Sequence, residues 1–320
     1  MFNLIEEVKD AATIGIGGHI RPDGDCVGST VALLLFLQKK FPEKRVDLFL
    51  EKFPDVFQDL KGTEQIRTEF QTEIESYDVF FCVDCAADRL GDAQKYFEQA
   101  KKTINVDHHI SNTGCGDVNY VVPTASSASE LVYELLTGEA LDVDIARAIY
   151  TGIIHDTGVF QYSCTSPRTM EIGAKLIGYG FDFSKLIAET FYEKTYLQTQ
   201  ILGRALLESI QFMDGHCTVS CVDQRTMEFY GVTSSDLDGI VNQLLNIKGV
   251  DCAVFLYQIG ALQYKVSMRS NEKVNVAKIA QLFGGGGHVR AAGCTMTGTF
   301  HDCINNLSVH IEKQLMLGQQ

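Results

Sequence analysis

Between Thr13 and Val106 short strand-like runs alternate with helical ones, and no other feature of the chain constrains its fold as strongly. Thr13–Ile20 is β-branched and strand-like, and Val27–Lys40 has the apolar content of a helix that ends on basic residues. Arg45–Leu50 is the next expected strand, followed by a polar stretch around Asp55–Thr72. Tyr77–Val83 reads as a buried strand, because Val79, Phe80, Phe81 and Val83 are all bulky and apolar. Asp88–Lys101 is expected as a helix and Lys102–Val106 as a strand. A further helix opens at Ser127, three residues before Glu130 as in a capping box. Such alternation specifies an α/β fold with a mostly parallel sheet and helices on both faces. Sheets of this kind bind ligands at the carboxyl ends of their strands.

The second half differs. The pattern loosens from Phe181 to Tyr196, a candidate hinge, and a long helix is expected over Leu197–Phe212. His216–Val222, Asp251–Ile259 and Leu262–Arg269 read as strands; Asp236–Leu245, Val274–Phe283 and His301–Leu315 read as helices. Residues 1–185 carry 17 basic and 29 acidic groups (−12), against 10 and 12 (−2) over 186–320. A chain of 320 residues with 45% hydrophobic content suits two globular domains, the second a smaller α/β unit.

A net charge of −14 argues against long duplex nucleic acid, whose phosphate lattice asks for basic patches. A small phosphorylated substrate held by local cations or metal ions remains compatible with it. The longest apolar run, Val31–Leu37, is far short of the ~20 residues of a membrane-spanning helix. Met1–Ala12 is acidic and amphipathic, unlike a signal peptide, and the terminal Leu-Gly-Gln-Gln has no lipidation motif. Ten scattered cysteines without a secretion signal read as reduced thiols, so a cytoplasmic location is expected.

Four segments place Asp and His at the ends of expected elements. In His19-Ile-Arg-Pro-Asp23-Gly-Asp25, an extended backbone would project Asp23 and Asp25 the same way, and the helix that follows could receive an anion. An Asp-Gly turn is the plain alternative. An EF-hand is excluded, because Val27 occupies the position of its third oxygen ligand. Asp84 ends the most hydrophobic strand, where a buried carboxylate is costly unless paired or metal-bound. Cys82 and Cys85 beside it form a CxxC without a second pair and read as two buried thiols. Asp107-His108-His109 closes another strand; on extended backbone the two rings would point to opposite sides. Asp156 follows an apolar helical run, and the adjacent His155 reads as structural. Together these segments offer His, Asp, Asp, Asp, His and Asp, a mixed N/O set suited to Mn²⁺ or a similar cation. With six candidate ligands, two metals sharing a carboxylate are compatible, as in sites for phosphoryl transfer.

The C-terminal half carries Phe283-Gly-Gly-Gly-Gly287-His288-Val-Arg290-Ala-Ala-Gly293. It is neither a Walker A loop nor a dinucleotide fingerprint, since the required Gly-Lys-Ser/Thr or final glycine is missing. Glycines let backbone N–H groups approach an anion closely, although a flexible turn is the simpler reading. Arg269 at a strand end is a second candidate cation for a phosphate or base.

The ordered motifs HxxPDGDxxGS (His19–Ser29), VDC (Val83–Cys85), VDHHxSN (Val106–Asn112), SSASE (Ser126–Glu130) and DTGxF (Asp156–Phe160) resemble those of the DHH phosphoesterases. FGGGGHxRAAG (Phe283–Gly293) is similar to the DHH-associated C-terminal domain of their nucleotide-cleaving branch. The resemblance implies a metal-binding phosphoesterase domain over 1–185, a linker over 186–198 and a substrate-binding domain over 199–320, with the active site in a cleft between them. It implies two divalent metals, Mn²⁺ first among them. His19, Asp23 and Asp84 would hold one, and Asp25, Asp84, His108 and Asp156 the other. Asp107 would orient a histidine, His109 would face the scissile phosphate, and Arg269, Gly285, Gly286, Gly287 and His288 would bind substrate. Arg21 and Cys115 depart from the pattern at positions that are not inferred ligands.

Within that family the compact layout is similar to the group that joins oligoribonuclease activity with dephosphorylation of 3′-phosphoadenosine 5′-phosphate. The expected substrates are short RNA or nucleotides, with no membrane partner and a homodimer left open. Three alternatives stand beside this reading. They are a cyclic di-AMP or linear pApA phosphodiesterase, a manganese pyrophosphatase (against which the glycine-rich segment argues), and an inactive nucleotide-binding module.

Overall fold

The strand–helix alternation resolves into a five-stranded sheet in the computed structural model, which describes residues 3–136 and 141–317 apart from the side chains of His288 and Leu317. Two units separate by their internal packing, Met1–Glu193 and Lys194–Gln320. The first contains α1 (Leu4–Val8), β1 (Thr13–Gly17), α2 (Gly24–Lys40), β2 (Arg45–Phe49), β3 (Val79–Val83), α3 (Gln94–Gln99), β4 (Thr103–Asp107), β5 (Val118–Val121), α4 (Ala128–Leu135), α5 (Val143–Asp156), α6 (Pro167–Ile177) and α7 (Phe183–Ile187). Its strands are all parallel, in the order β2-β1-β3-β4-β5. The carboxyl ends of β1, β3 and β4 therefore lie side by side.

Strand β3 shows why its sequence is apolar throughout. Val79, Phe81 and Val83 enter the core formed with α2, α4 and α5, while Phe80 and Cys82 join Phe49, Tyr77, Tyr96 and Phe97 on the opposite face. Both faces are covered, so neither parity of the strand can be polar. Helices α2 and α5 pack closely through glycine: a Cβ on Gly28 would lie 2.5 Å from the Ala148 carbonyl oxygen.

The second unit contains α8 (Tyr196–Leu207), β6 (Ile210–Phe212), β7 (Cys217–Val222), α9 (Gln224–Tyr230), α10 (Ile240–Leu245), β8 (Cys252–Gly260), β9 (Gln263–Ser270), α11 (Val276–Leu282), β10 (Gly286–His288), β11 (Ala291–Thr297) and α12 (Phe300–Leu317). Its sheet has the order β10-β11-β9-β8-β7-β6, with β7 and β8 parallel and the other neighbours antiparallel. Cys252, Val254 and Leu256 face α11 and α12, whereas Ala253 and Phe255 face α8 and α10.

Several expected elements differ. Helix α2 starts at Gly24, not Val27, because the Asp23 carboxylate caps the N–H groups of Asp25 and Cys26 at 3.1 Å each. Asp23 and Asp25 are consequently not extended neighbours, and those two N–H groups are already occupied by Asp23. Ser127 caps Glu130 N, but the Glu130 carboxylate turns instead to Ser126 Oγ and Thr169 Oγ1, so the reciprocal arm of the capping box is missing. The helix expected over Asp88–Lys101 shrinks to α3, preceded by two 3₁₀ turns around Gly91, whose φ is +56°. The loose segment from Phe181 is helical, with α7 running into a π-helical turn over Ala188–Tyr192. Helix α8 stops at Leu207, and Ile210–Phe212 is a strand. Gly239, at φ +86°, interrupts the helix expected over Asp236–Leu245. All ten cysteines are free thiols. Among the described residues no helix is long and apolar enough to cross a membrane.

Candidate metal centre

His19 lies in the loop after β1, Asp84 directly after β3, and Asp107, His108 and His109 at the end of β4. Asp23 and Asp25 open α2, and Asp156 is the last residue of α5. The sheet order makes the first three segments adjacent, and α2 and α5 bring the rest. His19 Nδ1 is 2.8 Å from the Ile20 carbonyl oxygen, so that nitrogen carries the proton and donates it there. Nε2 then faces Asp84 Oδ2 at 3.4 Å and Asp23 Oδ1 at 3.6 Å. On the other side, His108 Nε2 lies 3.1 Å from Asp156 Oδ2, 3.4 Å from Asp84 Oδ1 and 3.8 Å from Asp25 Oδ2. One carboxylate thus divides its two oxygens between two clusters of donors.

Local backbone devices fix these positions. Asp84 has φ +62°, a left-handed conformation uncommon for a residue other than glycine, and its N–H donates to the Val106 carbonyl at 2.9 Å. Asp25 accepts the Ala128 and Ser129 N–H groups at 2.6 and 2.9 Å, anchoring it to the first turn of α4. Asp107 is fully buried and accepts the N–H groups of His108 and His109 as well as the His109 Nδ1–H at 2.7 Å. Its other oxygen accepts from Asn112 Nδ2. These bonds turn the chain at the end of β4. Both histidines therefore approach Asp84, with His109 Nδ1 at 3.7 Å from Oδ1, instead of pointing to opposite sides.

The cluster is short of positive charge. Burial, with the neighbouring Asp84 and Asp156 carboxylates, pushes Asp25 well above the usual carboxylate range. Burial also raises Asp156 against the pull of His108. Burial opposes charge on His108, but the Asp156 and Asp84 carboxylates beside it and the charge of Asp25 outweigh this and push it up to about 12. His19 likewise rises above its ordinary value, burial being outweighed by Cys26, Asp23 and Asp84. Asp23 is held down at about 2: burial opposes, but His19 and the two capped N–H groups prevail. Asp84 Oδ1 is buried and accepts no well-formed hydrogen bond. Four carboxylates sharing two imidazoles, with an orphaned oxygen at the centre, are what divalent cations would neutralise. The donors are imidazole nitrogen and carboxylate oxygen, a chemistry that fits such ions.

Two residues of this region were unassigned by sequence. Cys26 offers its sulfur within 4.8 Å of ligand atoms of both His19 and Asp84, and burial pushes its thiol up to about 12. Gly152 allows Asp25 its place, since a Cβ there would lie 2.6 Å from Asp25 Oδ1 and 1.9 Å from Ser129 Oγ. His155 is structural as expected. It packs edge-on against Phe57 and Phe191, bonds Thr190 Oγ1 at 3.1 Å, and is pulled down to about 4 by burial.

In the second unit Arg269 sits on β9, in register with Ala253 of β8 and Ala291 of β11. The glycine-rich segment is an ordered outer strand, not a flexible turn: Gly286 pairs with Gly293 and Gly287 with Ala292. A Cβ on Gly285 or Gly287 would lie 2.2 or 2.4 Å from a carbonyl oxygen of β11 or its start, so close strand approach accounts for both. The side chain of His288 lies outside the described residues.

Residues 13–153 match the DHH family, N-terminal domain, and residues 215–316 match the DHHA1 domain. The chain is 30% identical over 306 residues to the bifunctional oligoribonuclease and PAP phosphatase NrnA of Bacillus subtilis (strain 168), with 92% of each chain covered. It is 29% identical over 302 residues to the protein of that name from Thermus thermophilus, covering 92% of this chain and 88% of the other. Among solved structures, it is similar to an exopolyphosphatase-related protein from Bacteroides fragilis, with a TM-score of 0.91, 26% identity and coverage of 98% and 96%. The fold is shared with RecJ from Thermus thermophilus, solved in complex with Mn²⁺, at a TM-score of 0.53 and 13% identity over 98% of this chain and 53% of RecJ. The chain belongs to the DHH family, with a DHHA1 domain following the DHH domain.

Proposed function

We propose that this chain is a metal-dependent phosphoesterase. It hydrolyses short oligoribonucleotides to nucleoside 5′-monophosphates and removes the 3′-phosphate of 3′-phosphoadenosine 5′-phosphate to give AMP. The observation that carries this reading is the division of Asp84, with Oδ2 toward His19 and Oδ1 toward His108 at 3.4 Å each. The similarity to proteins named bifunctional oligoribonuclease and PAP phosphatase supplies the substrate class.

In this reading His19, Asp23 and Asp84 hold one divalent cation, Mn²⁺ in the first instance, and Asp25, Asp84, His108 and Asp156 hold the second. Such a pair, when bound, draws a nucleophile from water at neutral pH and offsets phosphoryl charge. Asp107 fixes the His109 ring through Nδ1, which directs Nε2 toward a phosphoryl oxygen. Asp25 is held by α4 and resists displacement when a phosphate arrives. Arg269, Gly285, Gly286, Gly287 and His288 bind the nucleotide. The proposed division is 1–185 for metal and phosphate chemistry, 186–198 as linker and 199–320 for substrate. A cytoplasmic setting belongs to the same reading, and light scattering decides whether the chain works as a homodimer.

The test is a Mn²⁺-dependent hydrolysis panel resolved by chromatography. It contains a 5′-phosphorylated dinucleotide, a short single-stranded RNA, 3′-phosphoadenosine 5′-phosphate, cyclic di-AMP and pyrophosphate. Mononucleotide release together with AMP and phosphate from the bisphosphonucleoside is expected. Preferential cleavage of cyclic di-AMP, or of pyrophosphate alone, would replace the proposed substrate class, and inertness toward all five would leave a nucleotide-binding module.

A further inference from the structure

We propose that Cys26 is an additional donor to the cation position formed by His19 and Asp84, and that its sulfur raises the affinity of this position for thiophilic divalent cations such as Zn²⁺, Fe²⁺ or Co²⁺ relative to Mn²⁺. This rests on reading the acidic cluster as a metal centre.

The two clusters around Asp84 differ in one respect. Asp25, His108 and Asp156 offer nitrogen and oxygen alone, whereas the group His19, Cys26 and Asp84 adds a sulfur, with ligand atoms all within 4.8 Å of one another. All three residues of the second group are buried. The placement of the sulfur is enforced by the fold. Cys26 stands in the first turn of α2, and its N–H is tied to the Asp23 cap at 3.1 Å. Its Sγ fills the space in front of Gly18, where a Cβ would come within 2.3 Å of the sulfur, so that any larger residue at position 18 would displace it. Asp84 turns its Oδ2 to this position, 3.4 Å from His19 Nε2, while its unpartnered Oδ1 addresses His108. Soft thiolate selects zinc, iron and cobalt, whereas carboxylate and imidazole also accept manganese. As the S–metal bond forms, the thiol proton passes to solvent and no atom changes oxidation state. The two positions are therefore chemically unequal: a softer one at His19 and a harder one at His108.

Anaerobic Co²⁺ titration of the full chain tests this directly, because it reads coordination and not turnover. The unmodified chain is expected to show visible d–d bands and a near-ultraviolet sulfur-to-cobalt charge-transfer band. Cys26→Ser should keep the d–d bands and lose the charge-transfer band, and its Zn²⁺-over-Mn²⁺ affinity ratio should fall on the order of tenfold. Equal near-ultraviolet absorption in both proteins would overturn the proposal and leave the metal centre standing; the sulfur would then come from elsewhere, such as Cys82 and Cys85, whose Sγ atoms are 3.6 Å apart. Absence of d–d bands in both proteins would overturn the metal centre itself, and this proposal with it. Cys26→Ala, which places no unpartnered hydroxyl in the buried site, provides the same comparison if the serine variant does not fold.

Discussion

Asp84 Oδ1 and His108 Nε2 lie 3.4 Å apart, a separation too long for a good hydrogen bond and suited to a shared partner between them. Asp84 reaches that position from a left-handed backbone at φ +62°, and its other oxygen addresses His19. Backbone strain of this kind, on the order of 1–3 kcal/mol, persists where the surrounding structure over-determines it. Here the buried end of β3 and the bond from Asp84 N–H to Val106 do so.

Asp84→Asn separates the functional and structural roles of this carboxylate. With Mn²⁺ present, hydrolysis should fall at least 10³-fold, roughly 4 kcal/mol of barrier. In chelator the order of stability should reverse, because Asp84 contributes to the repulsion that raises Asp25 and Asp156. The metal-free variant should melt at or above the metal-free parent. Mn²⁺ at a hundred times its Kd should stabilise the parent by about 2.7 kcal/mol and the variant much less. Calorimetric melting of both proteins with and without chelator checks this. An equal Mn²⁺-dependent gain in the two would remove Asp84 from the centre.

Gly152→Ala should act through Asp25. The added methyl would meet Ser129 Oγ of α4 at 1.9 Å and Asp25 Oδ1 of α2 at 2.6 Å, where α5 packs against both helices. Overpacking of this sort costs about 1–3 kcal/mol. Because the displaced atom belongs to an α4-anchored carboxylate, Mn²⁺ affinity should also drop, on the order of tenfold. Urea unfolding and calorimetric Mn²⁺ titration measure the two effects; an unchanged midpoint would show that the contact relaxes at no cost.

The parallel sheet was legible because its signal is local: β1 to β4 are each short β-branched or apolar-rich segments set between helical or polar stretches, and Asp84 and Asp107 mark the ends of β3 and β4. What failed depended on side chains that bond across the fold or back onto the chain. Asp23 starts α2 early by capping it, and Glu130 abandons its expected capping partner for Thr169, which is 39 residues away. Strand β5, Val-Asn-Tyr-Val, is a four-residue strand at the sheet edge whose residues are half-buried or exposed, and its short segment did not stand out from the surrounding loop. Strands β10 and β11 hide in a glycine-rich motif whose purpose is backbone proximity, a property that apolar periodicity does not record. Of the site, the six candidate ligands were legible as residue types at element ends. Cys26 was not, since its sulfur becomes relevant when α2 begins at Gly24 and Gly18 leaves room for it.

Asp107→Asn should impair turnover without loosening the metals. One Asp107 oxygen serves two backbone N–H groups and the His109 ring, and the other serves Asn112. An amide nitrogen in either place confronts a donor, leaving an unsatisfied group at about 1–3 kcal/mol. The His109 ring loses its fixed orientation, and kcat/KM should fall ~10²-fold. Mn²⁺ affinity should stay within a few-fold, because the Asp107 oxygens are already committed. Paired kinetics and calorimetric titration decide this: an affinity loss as large as the kinetic loss would make Asp107 a ligand.

Acid stability offers a prediction away from the centre. The Asp78 carboxylate accepts Lys101 Nζ at 2.8 Å, the Ala12 and Thr13 N–H groups at 2.9 and 3.0 Å, and the Thr13 hydroxyl. These bonds, led by that to Lys101, hold its pKa well below the ordinary value of 3.8. The folded form therefore keeps Asp78 ionised where the unfolded chain takes up a proton. Its stabilisation is fully present above the unfolded pKa and is lost as pH falls below about 4 toward the depressed folded value. Asp78→Asn should cost about 1–3 kcal/mol at pH 7, since hydrogen bonds to a charged acceptor are among the stronger ones. The difference between variant and parent should narrow steadily below pH 4. Urea midpoints at pH 7, 4 and 3 measure this, and a gap that stays constant across that range would assign the Asp78 contribution to packing instead of charge.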